Sequence, residues 1–279
     1  MVSLQPRLKI GFIGAGNMAQ AMIKGMVQSG KVSPAKIFVS SRTSQKPQKL
    51  RDLYNIQVCR NNEELVETCD VIILAMKPQD FAPALEPVAS LFTDKQIVIS
   101  LAAGLRLETL EKVLPQTRLV RLMPNTPSLI QKGSIGCLIN DDQDSGLNDL
   151  MEDLFSCLGS VYQIENEEQF ESFMIACSSG TGFVYELMMY WQDWLEEHGF
   201  DSASARRMTQ EVFMGAAMMA QQNIDQGLEE LQGKVTSKKG VTAAGLESMR
   251  ELEVERALRI SFEKADLRNK EINRQMKST

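Results

Sequence analysis

The sequence predicts an α/β protein in which an N-terminal, mostly parallel β-sheet is followed by an all-helical domain. Apolar segments of strand length alternate with helical segments over the first part of the chain, which is typical of a parallel sheet with helices on both faces. From about Glu165 onward the strand signal disappears, and long methionine-rich helical periodicities replace it. We therefore predict one domain over residues 1–164 and a second, helical domain over residues 165–279.

The first predicted strand ends in a glycine-rich turn, Gly14-x-Gly16-x-x-Ala19, which leads directly into a predicted helix. Gly14 permits the tight turn, Gly16 lets a pyrophosphate approach the backbone, and Ala19 lets the helix pack closely on the strand. The free N–H groups at the start of the helix favour phosphate. Because strand, turn and helix follow one another in this order, we predict a Rossmann-type dinucleotide-binding site.

The other elements are placed by apolar runs and their periodicity. Further strands are predicted at 36–40, 56–58, 71–75, 96–100, 119–123, 134–139 and 160–164. Helices are predicted near 45–54, 61–69, 81–92 and 108–114, and between the last two strands. In the helical domain they are predicted at 168–177, 182–197, 202–226 and 242–276, with His198-Gly199 closing the second of these four.

Composition and charge argue against several classes of protein. A net charge of −6 and the lack of a basic stripe argue against nucleic-acid binding. No apolar run approaches the roughly 20 residues of a membrane span, and no cleavable signal leads the chain, so we expect a cytoplasmic protein without a membrane partner. Five scattered cysteines and one histidine do not have metal-ligand spacing, so we expect reduced, buried thiols and no metal site.

The segment after the second predicted strand indicates which dinucleotide is preferred. NAD-binding units usually carry a carboxylate at this position for the ribose hydroxyls, but here the sequence reads Ser40-Ser41-Arg42-Thr43-Ser44. The Ser41 hydroxyl and the Arg42 guanidinium suit the 2′-phosphate of NADP. We therefore predict NADPH as the cofactor, with NADH less favoured.

Six segments spread over nearly the whole chain carry further motifs. They are Phe12–Met18, Ser41–Thr43, Ala75–Gln79, Ser100–Gly104, Met123–Pro127 and Val235–Leu246. Together they resemble the pyrroline-5-carboxylate reductase family, which makes proline by reducing a cyclic imine. The resemblance implies NADPH-dependent reduction of 1-pyrroline-5-carboxylate to L-proline, by hydride transfer to the C=N carbon. It also implies a homodimer or larger homo-oligomer, formed through the helical domain.

The resemblance also implies roles for individual residues. The carboxylate of the substrate, a cyclic imino acid, would bind at Ser237, Lys239, Gly240, Val241 and Thr242. Thr242 matches the threonine that hydrogen-bonds the ring nitrogen, so it is the predicted catalytic residue. The predicted cofactor-binding residues are Gly14, Gly16, Asn17, Met18, Ser41, Arg42, Met76, Lys77, Pro78, Ala103, Gly104 and Asn125. Among them, Lys77, Pro78 and Asn125 would line the nicotinamide half.

Two segments depart from the family pattern, and both lie in the substrate half. Ser237-Lys238-Lys239-Gly240 stands where the family has Ser-Pro-Gly-Gly, and residues 179–183 read Ser-Gly-Thr-Gly-Phe where the family has Ser-Gly-Pro-Ala-Tyr. Losing Pro and Gly changes the conformational preferences of a loop. Two alternatives therefore stay open: a reductase of a related imine, such as a six-membered ring carboxylate, and a non-catalytic NADP-binding paralogue that regulates a partner.

Overall fold

The computed structural model describes residues 8–139 and 145–277, which form two compact units. The first unit combines the described residues up to Ser179 with those from Ala265 onward, and the second is Gly180–Lys264. The predicted domain boundary after residue 164 falls inside the first unit and stays a prediction. Residues just beyond that boundary, Phe170 and Met174, are buried in the core of the first unit.

The first unit is built on a sheet that has eight strands within the described residues. They are β1 (Ile10–Ile13), β2 (Ile37–Ser40), β3 (Gln57–Val58), β4 (Val71–Leu74), β5 (Ile97–Ser100), β6 (Arg118–Pro124), β7 (Gly133–Ile139) and β8 (Gly159–Gln163). Their order is β3-β2-β1-β4-β5-β6-β7-β8. Strands β1 to β6 are parallel, β7 is antiparallel to β6, and β8 is parallel to β7. The order 3-2-1-4-5-6 is that of the Rossmann fold, so the predicted fold class is confirmed.

Helices cover both faces of this sheet and produce two separate hydrophobic clusters. The helices before the second unit are α1 (Asn17–Gln28), α2 (Gln45–Tyr54), α3 (Asn62–Thr68), α4 (Phe81–Leu85), α5 (Leu107–Val113), α6 (Ser145–Phe155) and α7 (Glu167–Phe173). Along β4, Val71 and Ile73 belong to one cluster, whereas Ile72 and Leu74 belong to the other. Alternate strand residues point to opposite faces, so a strand covered on both sides is apolar throughout.

The second unit is helical throughout. It contains α8 (Gly180–Glu197), α9 (Ser202–Gln222), α10 (Leu228–Lys234), α11 (Val241–Glu251) and the first part of α12 (Val254–Lys277). The predicted end of α8 is confirmed, because Gly199 has φ +92° and the Phe200 N–H donates to the Leu195 carbonyl at 3.2 Å. A left-handed glycine just beyond the last turn is a common way to end a helix.

Four predicted helices have different limits in the structure, and one of them, 168–177, is α-helical only to Phe173 and continues as a π-helical turn to Ser179. The predicted helix 242–276 is wrong as one element, because Glu253 has φ +51° and separates α11 from α12. The predicted helix 202–226 ends at Gln222, and α10 follows as a separate helix. The predicted helix 81–92 is α-helical only to Leu85 and continues as a 3₁₀-helix over Glu86–Leu91, whose second residue is proline. Proline lacks the N–H that would continue the α-helical pattern.

The last part of α12 is held in the first unit by buried polar contacts. The Glu171 carboxylate accepts hydrogen bonds from Arg106 Nη2 at 2.7 Å and from Asn273 Nδ2 at 2.9 Å. Glu171 and Asn273 are both buried. A buried carboxylate needs such partners, because removing a charge from water is costly unless the charge is paired and hydrogen-bonded.

All five cysteines are free thiols; Cys59, Cys69 and Cys137 are buried as predicted, whereas Cys157 and Cys177 are only half-buried. Burial raises the pKa of Cys59 to about 11 and that of Cys137 to about 12. These two thiols are therefore protonated, and poor nucleophiles, at neutral pH. In the described part of the chain, no group of three His, Cys, Asp or Glu side chains could hold a metal ion. None of the described helices is long and apolar enough to cross a bilayer.

Candidate functional site

A cavity of about 490 Å³ opens in the first unit where β1, β2 and β4 end. It is lined by Ile13, Gly14, Ala15, Gly16, Ser41, Arg42, Thr43, Lys46, Asn62, Ala75, Met76, Lys77, Gln79, Asp80, Pro83 and Ala84. Ligands of open α/β sheets bind outside the carboxyl ends of the strands, at the point where the strand order reverses. In this sheet that point lies between β1 and β4, so the cavity is where a dinucleotide is expected.

Gly14 forms the tight turn at the floor of the cavity. Its N–H donates to the Ser40 carbonyl at 2.8 Å, and its φ is +108°, where L side chains are strained. A Cβ at this position would lie 2.5 Å from the Ala75 carbonyl oxygen. The backbone therefore passes between the ends of β2 and β4 at a distance that only glycine allows.

The N-terminus of α1 also lies at the cavity, because Gly16 is both a lining residue and the N-cap of α1. No side chain caps this end, and its first turn contains no acidic residue. The free N–H groups and the helix dipole favour an anion here. The predicted residues Asn17 and Met18 follow in the first turn, where Asn17 is exposed and Met18 packs against the core. Neither is part of the cavity lining.

The charged lining residues are Arg42, Lys46, Lys77 and Asp80. Three cations and one carboxylate give the cavity a net positive charge, which suits a ligand with several phosphates. The Arg42 guanidinium forms two contacts with Asp80, Nη1 to Oδ1 at 2.9 Å and Nη2 to Oδ2 at 3.2 Å. Together with the glycine turn and the uncapped helix, these residues fit the pyrophosphate and the additional 2′-phosphate of NADPH.

Among the lining residues with polar side chains, Lys46, Asn62 and Asp80 lie outside the sequence motifs and were not predicted. Asn62 follows the helix-capping Asn61, whose Oδ1 accepts from the Glu64 N–H at 2.9 Å. The Asn62 side chain instead accepts from Ser40 Oγ at 2.6 Å and donates to the Ala84 carbonyl at 3.1 Å. A pair of adjacent asparagines before a helix was the available signal, since one cap needs only one of them.

Two further predicted cofactor residues of the first unit, Ala103 and Gly104, also lie outside the cavity lining. Ala103 is exposed, and Gly104 has φ +80° where α12 passes close to the backbone. A Cβ on Gly104 would lie 2.9 Å from Asn273 Oδ1 and 3.0 Å from Ile272 Cγ2. The glycine at position 104 is therefore explained by packing against α12. The side chain of a third predicted residue, Pro78, lies outside the described part of the structure.

Asn125 is buried at the end of β6 with 7% of its surface exposed. Its Oδ1 accepts from the Ser134 N–H at 3.0 Å, and its Nδ2 donates to the Cys177 carbonyl at 3.1 Å. Cys177 lies in a π-helical turn, Met174–Ser179, that continues from α7. The amide thus links β6, β7 and this turn, and one N–H and one lone pair remain for a ligand.

The five predicted substrate-binding residues come together in the second unit, at the start of α11. Gly240 is the N-cap, and its N–H donates to the Ser237 carbonyl at 3.0 Å. A Cβ on Gly240 would overlap the Ser237 hydroxyl, which would have to rotate to another position. Val241 is 93% exposed, Thr242 is exposed, and the first turn of α11 has no acidic residue. This loop leaves the N-terminal N–H groups of α11 open to an anion.

Lys239 adopts φ +59° in this loop, the left-handed conformation that the family's glycine would adopt more easily. We expect Lys239→Gly to raise the free energy of unfolding by about 0.5–1 kcal/mol, because the strain of the lysine exceeds the added entropy of the unfolded chain. Lys238→Gly removes the same charge at a residue whose φ is not positive, so it should lower stability by a similar amount. Urea denaturation of both variants measures the difference, and equal effects would contradict the assigned strain.

Two family models match separate parts of this chain. Residues 9–104 match the model of an NADP oxidoreductase family described as coenzyme F420-dependent, and residues 167–272 match the pyrroline-5-carboxylate reductase dimerisation family. Pyrroline-5-carboxylate reductase 1 of Bacillus spizizenii is 33% identical over 283 residues, which cover 100% of this chain and 94% of that protein.

Solved structures extend the agreement to the whole fold. A pyrroline-5-carboxylate reductase from Coxiella burnetii superimposes with a TM-score of 0.88 at 29% identity, covering 95% of this chain and 98% of that one. The Plasmodium falciparum pyrroline carboxylate reductase, solved with NADP bound, has a TM-score of 0.83 at 23% identity over 96% of this chain and 99% of its own, and supports the fold. The likeness at one third identity over the full length confirms the resemblance: this chain belongs to the pyrroline-5-carboxylate reductase family.

Proposed function

We propose that this protein is an NADPH-dependent reductase that converts 1-pyrroline-5-carboxylate to L-proline. The observation that carries the proposal is the pairing of two features in one chain related to these reductases over its full length. One is a cationic cavity at a Rossmann glycine turn, and the other is a loop before α11 that leaves a helix N-terminus open to a carboxylate. The reaction needs both, because it joins a phosphorylated hydride donor to an anionic imine.

NADPH supplies the hydride when it is bound. The residues of the first unit then act by binding and orientation: the turn at Gly14 and the N-terminus of α1 hold the pyrophosphate, and Ser41 and Arg42 hold the 2′-phosphate. Asn125 fixes the end of β6 against the π-helical turn. Precise orientation of hydride donor and acceptor contributes a large part of the rate in such a reaction.

The chemistry of the substrate reduces the need for a strong acid in the protein. A C=N carbon is most electrophilic when its nitrogen is protonated, and the imine nitrogen carries that proton itself. The loop before α11 would hold the carboxylate through backbone N–H groups, the Ser237 hydroxyl and the Lys239 ammonium. Thr242 would orient the ring nitrogen or deliver a proton to it. The one histidine takes no part, because the His198 ring stacks on Trp194 and its Nδ1 contacts the Trp194 carbonyl at 2.7 Å.

The chain carries a dimerisation domain, so it forms homo-oligomers. We place the dimer interface on α8 and α9, where large apolar side chains are exposed within the second unit. These include Tyr185, Tyr190, Trp194, Met214 and Met218. Exposed apolar area of this extent marks an interaction surface. A solution mass of one chain, measured by light scattering, would contradict this.

Five free thiols are also consistent with a reducing compartment such as the cytoplasm.

The test is NADPH oxidation by the purified protein with 1-pyrroline-5-carboxylate, run beside NADH and beside a six-membered imine carboxylate. We expect fast turnover of the five-membered imine, with L-proline identified by chiral chromatography. Faster turnover of the six-membered ring would favour the related imine reductase. Tight NADPH binding without turnover of either imine would favour the regulatory paralogue.

A further inference from the structure

We propose that Asp80 limits the preference for NADPH and gives the same cavity a carboxylate that can bind the ribose hydroxyls of NADH. This rests on the proposed function only in that a nicotinamide dinucleotide occupies the cavity. The segment after β2, where NAD-binding units usually carry that carboxylate, contains none in this chain. Asp80 supplies one from a different part of the sequence.

The position of Asp80 follows from the strand order. Strand β1 lies between β2 and β4, so the segments that follow β2 and β4 meet across the Gly14 turn. Arg42 follows β2, Asp80 follows β4 in the 3₁₀-turn Pro78–Asp80, and both line the cavity. Their ion pair therefore spans the turn at which a dinucleotide is expected.

The Asp80 carboxylate is available for this role. Asp80 is the N-cap residue of α4, but its side chain makes no capping hydrogen bond. Its backbone is fixed, because its N–H donates to the Lys77 carbonyl at 2.9 Å. The contacts that the structure gives its carboxylate are those with Arg42, at 2.9 and 3.2 Å.

The side chains of Arg42 and Asp80 differ in solvent exposure, and this difference determines how each dinucleotide is accommodated. The Arg42 side chain is 83% exposed, whereas that of Asp80 is 23% exposed. An ion pair with one partner in solvent is weak, so Arg42 can leave it at little cost. With NADPH, Arg42 turns to the 2′-phosphate and the Asp80 carboxylate stays as a nearby like charge. With NADH, the ribose hydroxyls donate to Asp80 and Arg42 remains paired.

The test replaces Asp80 by asparagine and measures binding separately from turnover. Calorimetry compares adenosine 2′,5′-bisphosphate with adenosine 5′-monophosphate, which differ only in the 2′-phosphate, and NADPH with NADH. For Asp80→Asn we expect the bisphosphate and NADPH to bind about five- to tenfold more tightly, because a like charge near the phosphate is gone. NADH should bind about two- to threefold more weakly, because a neutral amide is a poorer acceptor than a carboxylate.

Asp52→Asn is the matched control. Asp52 is likewise a carboxylate paired with an arginine, Arg51 at 3.6 Å, but it is exposed and does not line the cavity. Removing the Asp52 charge should leave the ratio of NADPH affinity to NADH affinity unchanged. If the ratio of NADPH affinity to NADH affinity changes equally in both variants, the effect of Asp80 is one of net charge, and the proposal is overturned.

The remaining outcomes are also decisive. Weaker NADPH binding by Asp80→Asn would show that Asp80 only positions Arg42 for the 2′-phosphate. An unchanged ratio of NADPH affinity to NADH affinity would show that the Asp80 carboxylate is not near the 2′-phosphate. Binding of neither dinucleotide by the wild-type protein would refute this inference and the cofactor assignment together. If the ratio shifts as expected but no imine is reduced, the proposed reaction fails and the role of Asp80 stands.

Discussion

Gly14→Ala is expected to lower the free energy of unfolding by about 2–4 kcal/mol and to remove measurable NADPH binding. The added methyl carbon would lie 2.5 Å from the Ala75 carbonyl oxygen and 2.9 Å from its carbon, and these are backbone atoms that cannot rotate away. The alanine would also have to adopt φ +108°. Relief of either strain moves β1 away from β4 at the point where the pyrophosphate would bind. Urea denaturation and calorimetric titration with NADPH measure the two effects.

Gly16→Ala separates loss of binding from loss of folding. At position 16 the nearest atom to an added Cβ is the Ala75 carbonyl oxygen at 3.8 Å, an ordinary contact, and the Gly16 φ of −70° is accessible to alanine. We therefore expect Gly16→Ala to fold with nearly normal stability and still to bind NADPH weakly, because its methyl group occupies space that the pyrophosphate needs. Wild-type stability and affinity in Gly14→Ala would refute the close approach described for this turn.

Thr242→Ala is expected to reduce kcat for imine reduction about 100-fold while the affinity for NADPH stays nearly unchanged. The hydroxyl is assigned to the ring nitrogen of the substrate, so its loss should affect the step in which that nitrogen gains electron density. The cofactor residues belong to the first unit and Thr242 to the second, so the substitution leaves the cavity residues intact. Steady-state kinetics and NADPH titration measure the two quantities on the same preparation.

Two further variants make this result specific. Thr242→Ser keeps the hydroxyl and should retain most of the turnover. Ser248→Ala removes an exposed hydroxyl from the same helix, α11, and should leave kcat unchanged. An equal loss of turnover and of NADPH affinity in Thr242→Ala would refute the role assigned to the threonine.

The fold was largely predictable because its determinants are local. Short apolar runs, such as the four residues of β4 and Ile97–Ile99 of β5, together with the Gly14 turn, predict a parallel sheet without knowledge of distant contacts. The break at Glu253 was not predictable in this way, because a left-handed φ in the middle of a helical periodicity needs neither Gly nor Pro to mark it. The π-helical turn Met174–Ser179 was likewise not predicted, because no Gly or Pro within it marks the change from α-helical geometry.

The candidate site was predictable only in part, for a related reason. Gly14, Ser41 and Arg42 belong to local motifs, and all three line the cavity. Asp80 is 38 residues from Arg42 in the chain, and only the strand order brings the two together. The partners of Asn125 are also distant in sequence, so the motif that marks this residue does not reveal what its amide binds.

The order in which the chain is synthesised gives the position of α12 a consequence for biogenesis. The first unit is discontinuous in sequence, because Gly180–Lys264 separates its strands from its final helical segment. A ribosome releases Glu171 and Gly104 well before it has made Ile272 and Asn273, which these two residues contact. Until then a buried carboxylate lacks one partner and a closely packed backbone is uncovered. The first unit can therefore complete its packing only after the entire second unit has been translated.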